Sequence, residues 1–275
     1  MLSKGGNLTM ENRGCLNAAV KSDVGLKRHN NEDNYILGHC LNIDGTNESD
    51  SYMSSSVEEW MCCGVFDGMG GADYGELASL RAAECFQEAF LTDTSGYDED
   101  EISEMVENTF NNANKMVCSL GKDGSICGTT GTVVVTNGNR FRVFHVGDSR
   151  AYLLRGNDLF LLTKDQTVAQ MKIDIGVYQD KSQVKEKENH QLTEFIGCEV
   201  DGNILIPLES SWRELLVGDK ILICSDGLYD MCSDRQLFDI IKMKLEVEKL
   251  AQQFVNGALS GGGNDNITVL VLERV

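Results

Sequence analysis

A hydrophobic stretch that runs directly into Asp-Gly constrains the fold of this chain more than any other feature of its sequence. The mostly hydrophobic residues Trp60–Phe66 are followed by Asp67-Gly68-Met69-Gly70-Gly71. This pattern predicts a buried strand that stops at Asp67, a tight turn, and a helix that begins at about Ala72. Glycines let the backbone approach an ion or a phosphate closely, which makes the carbonyl oxygen of Gly68 a candidate ligand. An isolated Asp-Gly is also typical of an ordinary turn.

The same combination of a hydrophobic strand and an acidic residue occurs twice more. The strand Ile221–Cys224 leads into Ser225-Asp226-Gly227, and Asp265 lies in a Gly-Asn-Asp-Asn sequence just before hydrophobic residues 267–272. A fourth acidic segment, Glu32-Asp33, lies near the N-terminus. If these strand ends meet at one edge of the fold, their carboxylates raise one another's pKa and destabilise the protein. Bound divalent cations would remove that repulsion.

The ligand atoms predict which cations these are. Carboxylate and carbonyl oxygens favour Mg²⁺ or Mn²⁺ over Zn²⁺. No histidine has H-x-x-x-H spacing, so all four are predicted to be structural or at the surface: His29, His39, His145 and His190. Two ions held by oxygen ligands suit the hydrolysis of phosphate esters, because they lower the pKa of a water between them and neutralise charge on the phosphoryl group.

The overall charge limits the classes of partner. The formal net charge is −19 and the isoelectric point about 4.5, which argues against a nucleic acid or an anionic membrane as partner. An anionic substrate therefore needs local positive charge. Arg28 stands four residues before Glu32, where its planar guanidinium can bind a phosphate through two nitrogens. The alternative is an ordinary exposed arginine.

Cysteine use and hydropathy predict the cellular compartment. The ten cysteines include no C-x-x-C pair and mostly fall in hydrophobic segments, as expected for reduced thiols in the cytosol. Residues 1–11 lack the hydrophobic region of a signal peptide, and no stretch approaches the ~20 apolar residues of a membrane span. We expect a soluble, cytoplasmic, monomeric protein whose residues 1–14 form a loose lead-in.

Hydrophobic periodicity predicts the remaining elements. It indicates two pairs of helices, over 72–90 with 99–120 and over 235–245 with 246–259. An antiparallel meander with a turn at Asn137-Gly138 is predicted over 129–163. Ser233 is the predicted N-cap of the third helix. Residues 41–56 are interpreted as a surface hairpin loop, and 204–208 as a strand.

These elements favour an α+β fold. Two antiparallel sheets packed face to face, with one helix pair outside each, would bury the hydrophobic faces in four αββα layers. No internal repeat or linker divides the chain, so residues 15–275 are predicted to form a single domain. The weakly patterned, charged segment 164–203 is predicted to be a flap outside the core.

The acidic motifs, taken in order along the chain, resemble the metal-dependent protein phosphatases of type 2C in their bacterial form. The resemblance spans about residues 15 to 275. It rests on the following segments: Arg28-x-x-x-Glu32-Asp33, Phe66–Gly71, Gly128–Thr130, Val146–Arg150, Ser225-Asp226-Gly227-Leu228-x-Asp230 and Gly263-x-Asp265-Asn266.

The resemblance implies a β-sandwich between helix layers and a centre of two Mn²⁺ or Mg²⁺ ions that hydrolyses phosphoserine and phosphothreonine in proteins. It implies that Asp67 bridges the two ions and that Gly68 binds one through its carbonyl. Asp226 and Asp265 would complete the other ion's ligands. Glu32 and Asp33 would bind an ion or its waters, Arg28 the phosphate, and Asp148 a third, weaker ion. Expected partners are phosphorylated proteins and a cognate Ser/Thr kinase.

The sequence departs from many members of the family at Met69, where they carry a histidine that donates a proton to the leaving group. Methionine cannot donate one, so we expect water held by the ions to do so. Bacterial relatives share this methionine. An inactive regulatory relative and a hydrolase of small phosphate esters remain the alternative functions, and the complete set of acidic motifs argues against the first.

Overall fold

The computed structural model describes residues 15–56, 59–70, 74–121, 127–180, 183–198 and 204–275. Thirteen strands lie in these ranges: β1 Cys15–Asp23, β2 Asp33–Leu37, β3 Glu48–Ser56, β4 Met61–Gly70, β5 Cys127–Thr129, β6 Gly131–Thr136, β7 Arg140–Val146, β8 Arg150–Arg155, β9 Asp158–Leu161, β10 Leu208–Glu209, β11 Arg213–Glu214, β12 Lys220–Cys224 and β13 Ile267–Arg274. The helices in the same ranges are α1 Tyr74–Phe90, α2 Glu99–Cys118, α3 Val168–Asp174, α4 Glu186–Asn189, α5 Asp226–Tyr229, α6 Asp234–Ile241 and α7 Val247–Gly261.

The strands form two antiparallel sheets. One sheet has the order β3-β1-β13-β12-β8-β9, and the other has the order β10-β7-β6-β4-β2, with β11 also paired to β7 and β5 to β4. Side chains alternate between two hydrophobic cores along a strand: Val133 and Val135 face α1 and α2, whereas Val134 faces the other sheet. A third core lies between β13, β12 and α7. The layers are therefore helices, sheet, sheet, helices, and the predicted α+β sandwich is confirmed.

Two helices begin where the sequence places a capping residue. Asp98 accepts hydrogen bonds from the amides of Asp100 and Glu101, and so starts α2 at Glu99. Ser233 caps α6 as predicted, although this helix ends at Ile241 and not near residue 245. Inside the first core, the ring of Phe86 packs between those of Phe66 and Phe110, with centroid distances of 5.5 and 5.0 Å.

Four local predictions need correction. Strand β4 does not stop at Asp67 but continues to Gly70, because β5 pairs with its last three residues. Residues 48–56 of the predicted loop form β3, a polar edge strand paired with β1 along its whole length. The segment 204–207 is not a strand, and β10 begins only at Leu208. The predicted meander does not lie in one sheet: β6 and β7 belong to one sheet and β8 and β9 to the other, and the chain passes between them at Gly147, which has a φ of +105°.

Other predictions fall on residues that the structure does not describe. The lead-in over 1–14 and the proposed helix start at Ala72 lie outside the described ranges, as do residues 181–182 and 199–203 of the flap. Among the described helices, none combines the length and hydrophobicity that a membrane crossing needs.

Candidate active site

The acidic strand ends converge on a cavity of about 730 Å³ at one edge of the two sheets. Seven of the eight residues predicted from the sequence line this cavity: Arg28, Glu32, Asp67, Gly68, Asp148, Asp226 and Asp265. The eighth, Asp33, is buried next to it and does not line the wall. Residues from five separate parts of the chain thus share one small volume.

Asp33 lies opposite Asp67 in the antiparallel pair of β2 and β4. Its Oδ2 accepts a hydrogen bond of 2.7 Å from Ser225 Oγ, whereas its Oδ1 is buried without a hydrogen-bond partner among the described residues. Burial raises the pKa of the Asp33 carboxyl to about 7; the hydrogen bond from Ser225 opposes this shift, and neighbouring carboxylates add to it. A buried oxygen without a donor is costly, and a cation or a water bound to one would satisfy it.

The backbone of Asp67 is held from both sides. Its amide donates to Thr130 Oγ1 at 2.9 Å, and its carbonyl accepts from the Thr130 amide at 2.8 Å and from Thr129 Oγ1 at 2.9 Å.

Burial first, and the charges of nearby carboxylates second, raise the pKa of Asp67 and of Asp148 well above the ordinary value. The structure therefore shows the crowding of like charges that the sequence predicted.

Gly68 is required by the close approach of other backbone segments. A Cβ atom at this position would lie 2.2 Å from the carbonyl oxygen of Gly75 and 2.5 Å from that of Glu32. The Gly68 amide donates to the same Glu32 carbonyl at 3.1 Å. Any side chain here would push β4 away from α1 and from the segment that carries Glu32.

Asn266 positions the acidic segment near the N-terminus. Its Oδ1 accepts from the Glu32 amide at 2.8 Å, and its Nδ2 donates to the carbonyls of Val24 and Asn30 at 3.0 and 2.9 Å. Asn266 belongs to the Gly263-x-Asp265-Asn266 motif, and the sequence alone predicts no role for it. Its neighbour Asp265 accepts a hydrogen bond of 2.6 Å from Arg28, whose side chain is half exposed at the cavity.

His190 lies at the cavity, although its sequence context predicts only a structural or surface role. This residue follows α4 in the flap and lines the cavity. Its Nδ1 lies 3.4 Å from Asp226 Oδ2 and its Nε2 lies 3.6 Å from Asp230 Oδ2. The contact with Asp226 is the main cause that raises the pKa of His190 to about 9. The residues around His190 in the sequence form no metal-binding or catalytic motif. Its position at the cavity is therefore apparent only from the tertiary structure.

The donor atoms of the cavity suit hard divalent cations. They are the carboxylate oxygens and the backbone carbonyl of Gly68. In the metal-free protein the protonated imidazole of His190 pairs with Asp226 and Asp230, and the three side chains have ligand atoms within 4.8 Å of one another. The partnerless oxygen of Asp33, the Gly68 backbone at the cavity wall and the raised carboxyl pKa values all fit bound Mg²⁺ or Mn²⁺ ions.

Two bacterial phosphatases are similar to this chain in sequence. The chain is 33% identical over 261 residues to the serine/threonine protein phosphatase PstP of Mycobacterium tuberculosis, which covers 94% of this chain and 45% of PstP. It is 29% identical over 266 residues to the serine/threonine phosphatase stp of Listeria welshimeri, covering 94% and 96% of the two chains. The chain thus spans less than half of PstP and nearly all of stp.

A solved structure matches at similar coverage. The catalytic domain of PstP, crystallised with two manganese ions, has a TM-score of 0.74 and 29% identity, over 95% of this chain and 99% of that one. A family model described as Protein phosphatase 2C matches residues 22–172, more than half of the chain, and includes the segments that carry Arg28, Asp67 and Asp148. The chain therefore belongs to the protein phosphatase 2C family.

Proposed function

We propose that this protein is a metal-dependent phosphatase that hydrolyses phosphoserine and phosphothreonine in other proteins. The observation that carries the proposal is the cavity in which Asp67, Asp226 and Asp265 converge beside Arg28. The relatives described above are named as serine/threonine phosphatases, and one of them was crystallised with two manganese ions. We further propose that residues 15–275 form one phosphatase domain that carries a flap at 164–203.

The residues divide into ion ligands and a phosphate-binding group. Asp67 would bridge two Mn²⁺ or Mg²⁺ ions, Gly68 would bind one through its carbonyl, and Asp226 and Asp265 would complete the other. Glu32 and Asp33 would hold an ion or its waters, and Asp148 a third, weaker ion. When bound, the ions supply an acidified water as nucleophile and positive charge opposite the phosphoryl oxygens.

Arg28 is the group that would bind the substrate phosphate. Its guanidinium pairs with Asp265 at 2.6 Å and lies at the cavity, which supports this role. A planar guanidinium can donate to two phosphoryl oxygens at once. Met69 lines the same cavity but carries no acidic proton, so the proton for the leaving group would come from water in the cavity.

The partners proposed for this function are phosphorylated proteins in the cytoplasm and a Ser/Thr kinase that modifies them. The competing functions are hydrolysis of small phosphate esters and an inactive regulatory role. The complete set of acidic residues around one cavity disfavours the inactive role.

Turnover of phosphoserine and phosphothreonine peptides, measured with and without Mn²⁺ and beside a panel of phosphorylated metabolites, tests the proposal. We expect peptide hydrolysis that chelation abolishes and Mn²⁺ restores. Hydrolysis of metabolites alone would show that the protein is a hydrolase of small phosphate esters. No hydrolysis with Mn²⁺ bound would indicate the inactive regulatory role.

A further inference from the structure

Gln166 joins three segments around the active site with all of its polar groups. Its Oε1 accepts from the Gly147 amide at 2.6 Å, and its Nε2 donates to Glu194 Oε2 at 3.0 Å. Its backbone amide donates to the Gly147 carbonyl at 2.8 Å, and its backbone carbonyl accepts from the Thr193 amide at 2.8 Å. The side chain is almost completely buried. We call the two side-chain hydrogen bonds, to Gly147 and to Glu194, the flap clasp.

One half of the flap clasp acts on the loop that carries Asp148. Gly147, immediately before it, has a φ of +105°, and a Cβ atom there would lie 2.7 Å from the Thr130 side chain. On the other side, Ser149 Oγ contacts Thr130 Oγ1 at 2.7 Å, and Thr130 also holds the amide of Asp67. Asp148 therefore lies in a tightly packed loop, one amide of which is held by Gln166.

The other half of the clasp acts on the flap. Glu194 lies on the returning end of the flap, where Ile196 forms two backbone hydrogen bonds with Thr129, of 2.9 and 2.8 Å. The outgoing end is held by Asp165, which accepts two hydrogen bonds from Arg150, of 2.9 and 2.6 Å. His190 and Leu192 lie between these two ends and line the cavity. The flap wall of the cavity thus depends on how its two ends are joined.

We propose that Gln166 is a positioning residue that fixes the Asp148 loop and the flap wall relative to each other. An amide is suited to this task, because one end accepts a hydrogen bond and the other donates one. The proposal rests on the proposed phosphatase function, in which Asp148 binds the weakest ion, and it adds that the flap wall of the cavity contacts the phosphoprotein. Gln166 then controls two separable properties: affinity for that ion through Gly147, and binding of protein substrates through Glu194.

Three changes separate the two halves of the clasp. Gln166→Leu removes both hydrogen bonds at nearly constant volume. Gln166→Glu keeps an acceptor for the Gly147 amide but faces the Glu194 carboxylate with a like charge. The double change Gln166→Glu with Glu194→Gln restores a donor–acceptor pair in the reverse direction. The matched control is Gln170→Glu, alone and with Asp174→Asn, since Gln170 Nε2 donates to Asp174 Oδ1 at 3.0 Å on the exposed face of α3.

Two measurements are made on every variant: Mn²⁺ titration without substrate, by calorimetry or electron paramagnetic resonance, and KM for a phosphopeptide at saturating Mn²⁺. We expect Gln166→Leu to weaken the weakest Mn²⁺ site and to raise KM, each about tenfold, as for ~1.4 kcal/mol. Gln166→Glu should raise KM by a similar factor without weakening Mn²⁺ binding. The double change should bring KM back to within about threefold of the unmodified protein. The control variants should have the same Mn²⁺ affinity and the same KM as the unmodified protein.

A lower melting temperature with unchanged Mn²⁺ affinity and KM would reduce Gln166 to a structural role. Failure of the double change to restore KM would also overturn the proposal. If Gln166→Leu does not fold, the comparison of Gln166→Glu with its double variant still decides the flap half. If the unmodified protein binds Mn²⁺ but hydrolyses no phosphopeptide, the proposed function fails, while the Mn²⁺ titration of Gln166→Leu still tests the clasp.

Discussion

Asp33 faces Asp67 across the antiparallel pair of β2 and β4, and both carboxyl groups are desolvated at the edge of the active-site cavity. Register fixes this arrangement, because a slip of one residue between the two strands would turn one carboxylate to the opposite face of the sheet. The protein therefore holds two like charges together as part of its core hydrogen-bond pattern. The loss of folding stability that this repulsion causes, and its reversal by bound cations, can be measured.

The first prediction concerns Mn²⁺ and stability. Ions that bind only the folded protein should raise its melting temperature by about 5–10 °C at a hundredfold excess over the dissociation constant. Asp67→Asn should raise the melting temperature of the metal-free protein, because it removes a buried charge beside Asp33. The same variant should lose most of the stabilisation by Mn²⁺ and nearly all turnover. Calorimetric melting with chelator and with Mn²⁺ checks both the rise caused by Mn²⁺ and the rise caused by Asp67→Asn in the metal-free protein.

Asp226→Asn serves as the second variant, with the same loss of turnover expected in a folded protein. Full phosphatase activity after exhaustive chelation would contradict the binuclear centre. A fall in the melting temperature of metal-free Asp67→Asn would contradict the repulsion argument.

The second prediction concerns the pH dependence of the metal-free protein. Burial raises the pKa of Asp33 from an ordinary value of 3.8 to about 7, so its stabilising contribution is complete below pH 3.8 and is lost as pH rises through 7. His190, with its pKa raised to about 9, acts in the same direction, since its contribution is lost as pH rises from 6.5 through 9. We therefore expect the melting temperature to rise as pH falls from 8 to 6.5.

Below pH 6.5 the buried His145 opposes this trend. Desolvation lowers its pKa to about 4, so stability is lost as the pH falls from 6.5 towards 4. The expected profile of melting temperature thus levels off or declines below pH 6.5. With saturating Mn²⁺ the slope between pH 6.5 and 8 should reverse, because protons then compete with the ions. A metal-free protein whose melting temperature does not change between pH 8 and 6.5 would contradict the raised carboxyl pKa values.

The third prediction concerns Arg28. Arg28→Ala should raise KM for a phosphopeptide by about tenfold or more, because the phosphate loses a charged hydrogen-bond donor. Arg28→Lys should restore only part of the loss, since an ammonium lacks the planar pair of donors. Steady-state kinetics of both variants, with Arg235→Ala as the control at an exposed arginine paired to Asp239, checks this.

Arg28→Ala also frees Asp265 from its ion pair, so Mn²⁺ affinity should stay the same or increase. A weaker Mn²⁺ affinity together with unchanged KM would assign Arg28 to the support of Asp265 and not to the phosphate.

The fourth prediction concerns Met69. If water supplies the proton to the leaving group, Met69→Ala should change phosphoserine turnover little. Met69→His should introduce a donor with a pKa near ~6.5, and so a new pH dependence for phosphoserine peptides. The aryl leaving group of p-nitrophenyl phosphate needs less help, so its hydrolysis should hardly respond. Comparison of kcat against pH for the two substrates checks this.

A large loss of turnover in Met69→Ala, seen only with substrates that have poor leaving groups, would contradict this prediction. In a folded protein with Mn²⁺ bound, that result would give the methionine a role in orienting the leaving group.

Local patterns in the sequence were sufficient for most elements of the fold. The capping residue Ser233 and the hydrophobic periodicity of α2 and α7 placed these helices within a few residues, because such signals act between neighbours in the chain. Strand β3 was missed because it is a polar edge strand, stabilised by pairing with β1 and not by a hydrophobic face of its own.

The sequence by itself determined the chemistry of the site: acidic side chains beside glycine and asparagine, an arginine near the first of them, and a methionine without an acidic proton two residues after Asp67. Only the tertiary structure decided their partners. The contact of Arg28 with Asp265 spans 237 positions, His190 reaches Asp226 from the flap, and Gln166 reaches Gly147 through the fold. Such contacts leave no periodic signal, because the free energy that selects them comes from packing two sheets and a flap around one cavity.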